Sequence, residues 1–127
     1  MGWLYVAVGG AVGAALRFGV SGWVQEWAGG AFPWGTMVVN GLGSLLLGFA
    51  VVWLEAAATS ADLRAFATIG LLGAFTTFST FSYEAVALLR DGDTWGAASY
   101  VAGSLLAGLV GVLVGLGLAA WMLQPRG

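Results

Sequence analysis

Apolar residues run along this chain in four long stretches, and polar residues gather in the short segments between them. The first stretch runs from about Trp3 to Val24 and is interrupted by Arg17. The second runs from about Trp34 to Leu54 with no charge inside it. The third lies between Asp62 and Arg90, with Arg64 at its start and Glu84 as the one charge well inside. The fourth runs from about Trp95 to Leu123 without a charge. About 20 apolar residues in helical form match the hydrocarbon thickness of a bilayer. In hydrocarbon every backbone polar group must be satisfied within its segment or in a closed barrel, so runs of this length predict helices. The pattern predicts an all-α membrane protein, one integral domain over residues 1–127 with four transmembrane helices at about 3–24, 34–54, 62–90 and 95–123. Trp3, Trp27, Trp34, Trp53, Trp95 and Trp121 fall near span ends, where amphipathic rings settle at the membrane interface. The connections at 25–33, 55–61 and 91–94 are short, which makes sequential helices antiparallel neighbours.

Composition closes off most other readings. Hydrophobic residues make up 60% and charged residues 8%, where a soluble domain carries about 25% charge. Mean hydropathy is +0.93. With no Cys and no His, thiol nucleophiles, disulfides and the commonest metal ligand and general base are missing. A net charge of −2 with four scattered Arg excludes nucleic acid, which needs a basic patch. No basic residue precedes the first apolar stretch, which also runs past signal-peptide length, so a cleaved leader is not expected. Gly is abundant, at 22 residues. In the fourth span Ser99, Gly103, Ala107, Gly111, Gly115 and Ala119 recur every four residues, a small face that lets helix backbones approach closely in lipid.

Charge hardly orients the bundle. Four spans put both termini and the second connection on one side with Arg64 and Arg126. The other side holds Arg90, plus Arg17 if that side chain snorkels outward. The positive-inside rule works on Arg/Lys asymmetry, and two against one or two gives it almost none. A small protein with few charges explains the count, and so does insertion in both orientations to form an antiparallel dimer.

The polar residues at membrane depth are the candidate chemistry. Asn40 sits near the middle of the charge-free second span. A primary amide there needs partners, either as interhelical glue or as a donor facing a polar pathway. The third span reads Gly-Leu-Leu-Gly-Ala-Phe-Thr-Thr-Phe-Ser-Thr-Phe-Ser-Tyr-Glu from Gly70 to Glu84. Its hydroxyls compete for backbone groups and weaken the helix. From Asp62 to Arg90 a continuous helix would measure about 43 Å at 1.5 Å per residue, against a core of about 30 Å. Both facts predict a break near 73–77. Carbonyls freed there can hold a cation, and freed amides can meet an anion. Phe78 and Phe81 share one helical face, and Thr77 and Thr80 the next. Tyr100 and Ser104 add a polar stripe in the fourth span. Phe at i, i+3 is ordinary core packing, but ring edges interleaved with hydroxyls and an amide also suit a small anion.

Three segments resemble the Fluc or CrcB family of small bacterial fluoride channels: Gly9 to Arg17, Gly35 to Gly48 with Asn40, and above all Gly70 to Glu84. The resemblance covers essentially the whole chain, and the third motif is the most specific. It implies an antiparallel dual-topology dimer with a broken third helix and two fluoride pathways. On it, Asn40, Thr77, Phe78, Ser79, Thr80, Phe81, Tyr100 and Ser104 match the pathway and its polar track. Arg17 matches a first-span arginine of the vestibule. Gly73 and Thr76 match positions whose backbone carbonyls hold a structural sodium ion at the dimer axis. Ala74 departs from the family, many members of which have another Gly there. The resemblance further implies a multi-pass protein of the bacterial or archaeal plasma (inner) membrane that passively exports cytoplasmic fluoride and confers fluoride resistance. Its partners would then be fluoride, a second copy of the chain and the lipid bilayer.

Three other classes compete. A small multidrug-resistance-type proton-coupled exporter needs a membrane-embedded carboxylate in the first span, and none lies between Trp3 and Val24. An accessory structural subunit does not need so many midplane hydroxyls. A membrane hydrolase lacks any His or Lys to activate a serine, so an enzyme is not expected.

Overall fold

The computed structural model describes residues 1–127 and is all-helical. Its elements are α1 (Gly2–Ala28), α2 (Trp34–Ala56), a third span in two pieces, and α5 (Thr94–Met122). The first piece, α3, covers residues 61–75 and joins α-helical Ala61–Arg64, π-helical Ala65–Leu72 and a last α-turn at Gly73–Phe75. The second piece, α4, is Phe78–Arg90. All four spans are long and apolar enough to cross a membrane. Only 19 of 127 residues are buried, so most of the apolar surface faces outward, as lipid exposure requires.

Local chemistry sets the ends. The Ser60 hydroxyl accepts from the Leu63 amide at 3.1 Å and starts α3. The Asp93 carboxylate accepts from the Gly96 amide at 2.8 Å and starts α5. Side-chain oxygens at such positions satisfy amides the helix leaves open. Beyond α1 the chain turns through Gly29 and Gly30 at φ 69° and 75°, a region other residues rarely adopt.

The third span breaks at Thr76 (φ −89°, ψ 159°) and Thr77 (φ −149°, ψ 124°), both extended. That lies at the far end of the expected window. Gly73 is itself helical at φ −62°, ψ −37°. Two β-branched threonines, stiff at χ1 and able to hydrogen-bond their own backbone, make the break here. The π-helical stretch before it was not expected from the sequence. It packs on the α1 glycines, and such bulges occur where a helix is locally strained or functional.

Glycines let backbones touch. In the α2–α5 pair Gly48 faces the Val112 carbonyl, Gly115 faces the Leu45 carbonyl, and a Cβ on Gly111 would lie 2.9 Å from the Gly41 oxygen. Against α3, a Cβ on Gly9 would lie 2.5 Å from the Phe66 oxygen, and Gly13 faces the Leu71 carbonyl. The small face read in the fourth span is thus a packing seam in its second half, with Gly111, Gly115 and Ala119 buried. Its first half is looser. Ser99 is exposed, and Gly103 meets only the end of the Met37 side chain.

A methyl group at these seams has nowhere to go. Gly48→Ala should cost about 1–3 kcal/mol by overpacking. Gly117→Ala, with nothing within 4 Å of the added Cβ, should stay within about 0.5 kcal/mol. Thermal unfolding of the two variants in detergent checks this, and equal melting shifts would contradict the packing account.

Candidate ion pathway at the helix break

Two neighbouring helices supply side chains to the break. The Asn40 carboxamide on α2 pairs with Thr77 at two points. Its Oδ1 accepts from the Thr77 amide at 2.7 Å, and its Nδ2 donates to the Thr77 carbonyl at 3.0 Å. From α1, Arg17 Nε donates to the Ala74 carbonyl at 3.0 Å. Thr77 then caps α4, its Oγ1 accepting from the Thr80 amide at 3.3 Å and donating to the Thr80 hydroxyl at 3.1 Å. The Thr76 hydroxyl donates to the Leu72 carbonyl at 3.2 Å. Gly43, one helical turn from Asn40, lets α2 come this near, because the Thr76 methyl and the Phe75 ring occupy the space of its missing Cβ.

Beside the break lies an open-sided cavity of about 350 Å³, lined by Asn40, Ser44, Thr76, Thr77, Phe78, Phe81 and Ser104 together with apolar residues of α5. Ser104 Oγ is buried and has no hydrogen-bond partner within the protein. A buried hydroxyl left unpaired costs about 1–3 kcal/mol, so this one calls for a water or an ion. The Phe78 ring stands beside that of Phe81, centroids 5.9 Å apart. Phe78 is 78% exposed, which a ring that only filled the core of this chain would not be. Ser44 is turned back, donating to the Asn40 carbonyl at 2.6 Å.

The fold thus brings together Asn40, Thr77, Phe78, Phe81 and Ser104 in one cavity, with Thr80 bonded to Thr77 at its edge. Ser79 is exposed and does not line it. Tyr100 and Ser104 part company despite their i, i+4 spacing. Tyr100 is fully buried, packs on Phe81 at 5.2 Å, and sends its hydroxyl to Glu84 Oε2 at 3.3 Å. Arg17 is half-buried with Nε committed to the break. Gly73 is exposed and Thr76 half-buried.

Sequence reasoning assigned no role to the cluster around Glu84. Its Oε1 accepts from the Thr36 hydroxyl at 2.7 Å, and it lines a second cavity of about 390 Å³ with Ser21, Gln25, Thr36 and Asp91. Gln25 braces the rim, donating to the Gly30 and Phe32 carbonyls at 3.2 and 3.1 Å and accepting from the Gly35 amide at 3.1 Å. A carboxyl late in a membrane span was the available signal. Its partners, Thr36 and Tyr100 on two other helices, were not.

Comparison with known proteins gives one answer. The model of a family described as "CrcB-like protein, Camphor Resistance (CrcB)" matches residues 4–116. A curated protein from a strain of Thermus thermophilus is 46% identical over 113 residues, 89% of each chain. One from Chloroflexus aurantiacus strain J-10-fl is 42% identical over 119 residues, covering 93% of this chain and 94% of its own. One from Rhizobium meliloti strain 1021 is 41% identical over 116 residues, 91% and 93% of the two chains. Each is named "Fluoride-specific ion channel FluC".

The Glu84 cluster makes a stability prediction. Thr36→Val removes the shorter bond to a carboxyl and should cost about 1–3 kcal/mol. Tyr100→Phe removes the longer one and should cost less. Unfolding of both variants in the same detergent checks the order, and the reverse order would contradict the geometry.

Proposed function

The chain belongs to the CrcB family, and on that footing we propose that it is a fluoride channel, exporting cytoplasmic fluoride passively down its electrochemical gradient. The observation that carries this reading is the cavity at the break, where the orphaned Ser104 hydroxyl meets Asn40, Thr77 and the two phenyl rings. Fluoride holds its water tightly. A pathway must therefore offer replacement donors that are good, yet not so good that the ion stays. One hydroxyl without a partner, one amide with an N–H to spare and the positive edges of two rings make such a set. No cationic side chain lines the cavity, which favours transit over trapping. Fluoride enters a cell as the neutral acid and dissociates inside, so the negative-inside potential is enough to drive it out. The one carboxylate of the first span, Glu26, stands in the last turn of α1, away from the depth at which a proton-driven exporter needs its coupling acid.

The working unit in this reading is an antiparallel dimer of two oppositely inserted copies in the plasma (inner) membrane of the cell. The near-even Arg count supports dual insertion, and the open side of the cavity supports completion by a second copy. Ser79, Thr80 and Tyr100 extend the polar track beyond the cavity, and Arg17 marks the vestibule. Sodium fits the break as a hard cation taking oxygen ligands. The Gly73 carbonyl receives only a long 3.5 Å contact from the Thr76 hydroxyl, and Gly73 is exposed. The carbonyls of Gly73 and Thr76 would hold the ion, two from each copy. Bound there, it would tie the two breaks together.

The direct test is efflux from liposomes holding the purified protein. Fluoride should leave at channel rates without an imposed proton or sodium gradient, while chloride stays. Phe78→Ile and Phe81→Ile keep most of the apolar volume, and at least one should lower fluoride flux at least tenfold while the protein stays folded. Equal chloride and fluoride flux, or efflux that needs an imposed gradient, would overturn the reading.

The sodium and dimer proposal has its own test. A Cβ on Gly73 would meet only the Thr68 oxygen, at 3.4 Å, and the position is exposed, so Gly73→Val puts its methyls at the surface of this chain and not in its core. The variant should therefore fold yet lose dimer in crosslinking and flux in liposomes. Dimer and flux both at parental levels would remove the shared site.

A further inference from the structure

A helix broken inside a membrane leaves backbone groups that neither water nor the helix can satisfy. At this break Thr77 is one residue that needs partners for such groups. Its backbone is extended at φ −149°, ψ 124°, so its amide lies outside the ladder of α3, and its carbonyl sits at the very start of α4. Asn40 meets both groups, at 2.7 and 3.0 Å, the two-point pairing that one residue of a neighbouring strand would give. Asn and Gln offer an acceptor and a donor in one plane at every pH, which suits this purpose. Asn is the shorter, and Gly43 brings α2 close enough for it to reach.

We propose that Asn40 is a positioning residue that sets the break, and that its effect on conduction runs through the Thr77 backbone as well as through any contact with the ion. Fixing Thr77 fixes the cap of α4, since the Thr77 hydroxyl receives the Thr80 amide. Phe78 begins that helix and Phe81 follows one turn later, so the direction in which both rings stand depends on where Asn40 holds Thr77. This assignment differs from a pathway donor in what it predicts. A pathway donor acts on the ion with the backbone unchanged. A positioning residue acts on the backbone even when no ion is present. The flux arm of the test rests on the fluoride-channel reading, and the exchange arm does not.

The decisive substitution leaves every side chain alone. Replacing Thr77 by its α-hydroxy analogue turns the amide into an ester, which deletes the N–H that Asn40 accepts and also weakens the Thr76 carbonyl, so the effect of Asn40→Leu is compared on the two backbones. Positioning predicts that the ester lowers fluoride flux in liposomes at least tenfold, and that Asn40→Leu lowers flux at least threefold less on the ester backbone than on the parental one. If Asn40 serves only as a donor to the ion, deleting the Thr77 N–H leaves the effect of Asn40 intact. Asn40→Leu then causes the same loss on either backbone, and the proposal is overturned. Hydrogen exchange gives the second readout on fluoride-free protein. In Asn40→Leu the amides of residues 78–80 should exchange at least tenfold faster than in the parent, while those of α5 are unchanged. Exchange at the parental rate in a folded variant would overturn the proposal whatever the flux. Parental protein that fails to pass fluoride but shows the accelerated exchange on substitution would retire the channel reading and leave the clamp standing.

Discussion

A helix interrupted at the centre of a bilayer must find partners for its freed backbone groups inside the protein, and this fold is arranged around that need. Thr76 and Thr77 leave helical geometry, and the groups they release are taken up by Asn40 from α2 and Arg17 from α1. Both side chains have to cross from another helix. They reach because glycines at Gly9, Gly13 and Gly43 remove the methyl groups that would hold the helices apart. The abundance of Gly and the presence of one amide and one arginine at depth are thus parts of a single solution.

The same arrangement creates the candidate pathway. Halting α3 and restarting α4 turns Phe78, Phe81 and the threonines toward α2 and α5, where Ser104 waits with an unpaired hydroxyl. A chain that folded only for stability would have closed this space or given that hydroxyl a partner. Around it the outer surface is apolar enough for lipid, and the polar interior is confined to the break and the Glu84 cluster. Function is carried by a handful of polar atoms held in a rigid apolar frame.

The frame was legible in the sequence, because bilayer thickness converts apolar run length directly into helices. The break was legible too, from hydroxyl density and an excess of length, and it falls at the far end of the expected window. Gly73 stays helical, and the threonines do the breaking. The π-helical stretch at Ala65–Leu72 had no signal, since it answers to the α1 glycines packed against it. Asn40 stood out as a polar residue without a charge around it, and its two candidate roles were in view. Its partner was not, because a hydrogen bond spanning 37 residues is a fact of tertiary placement. The split of Tyr100 toward Glu84 and Ser104 toward the cavity was lost for the same reason. Their spacing says they share a face, and only the neighbouring helices decide what each one meets. The family motif supplied roles that periodicity alone could not.

Selective fluoride conduction is the central claim, and the reversal potential of the current tests it most directly. In a planar bilayer holding the purified protein, with a tenfold fluoride gradient and equal chloride on both sides, the current should reverse at the fluoride equilibrium potential, about 59 mV at 25 °C for a monovalent ion. It should stay there when pH or sodium is varied on one side. A reversal near zero, or one that follows the proton or sodium gradient, would contradict the account.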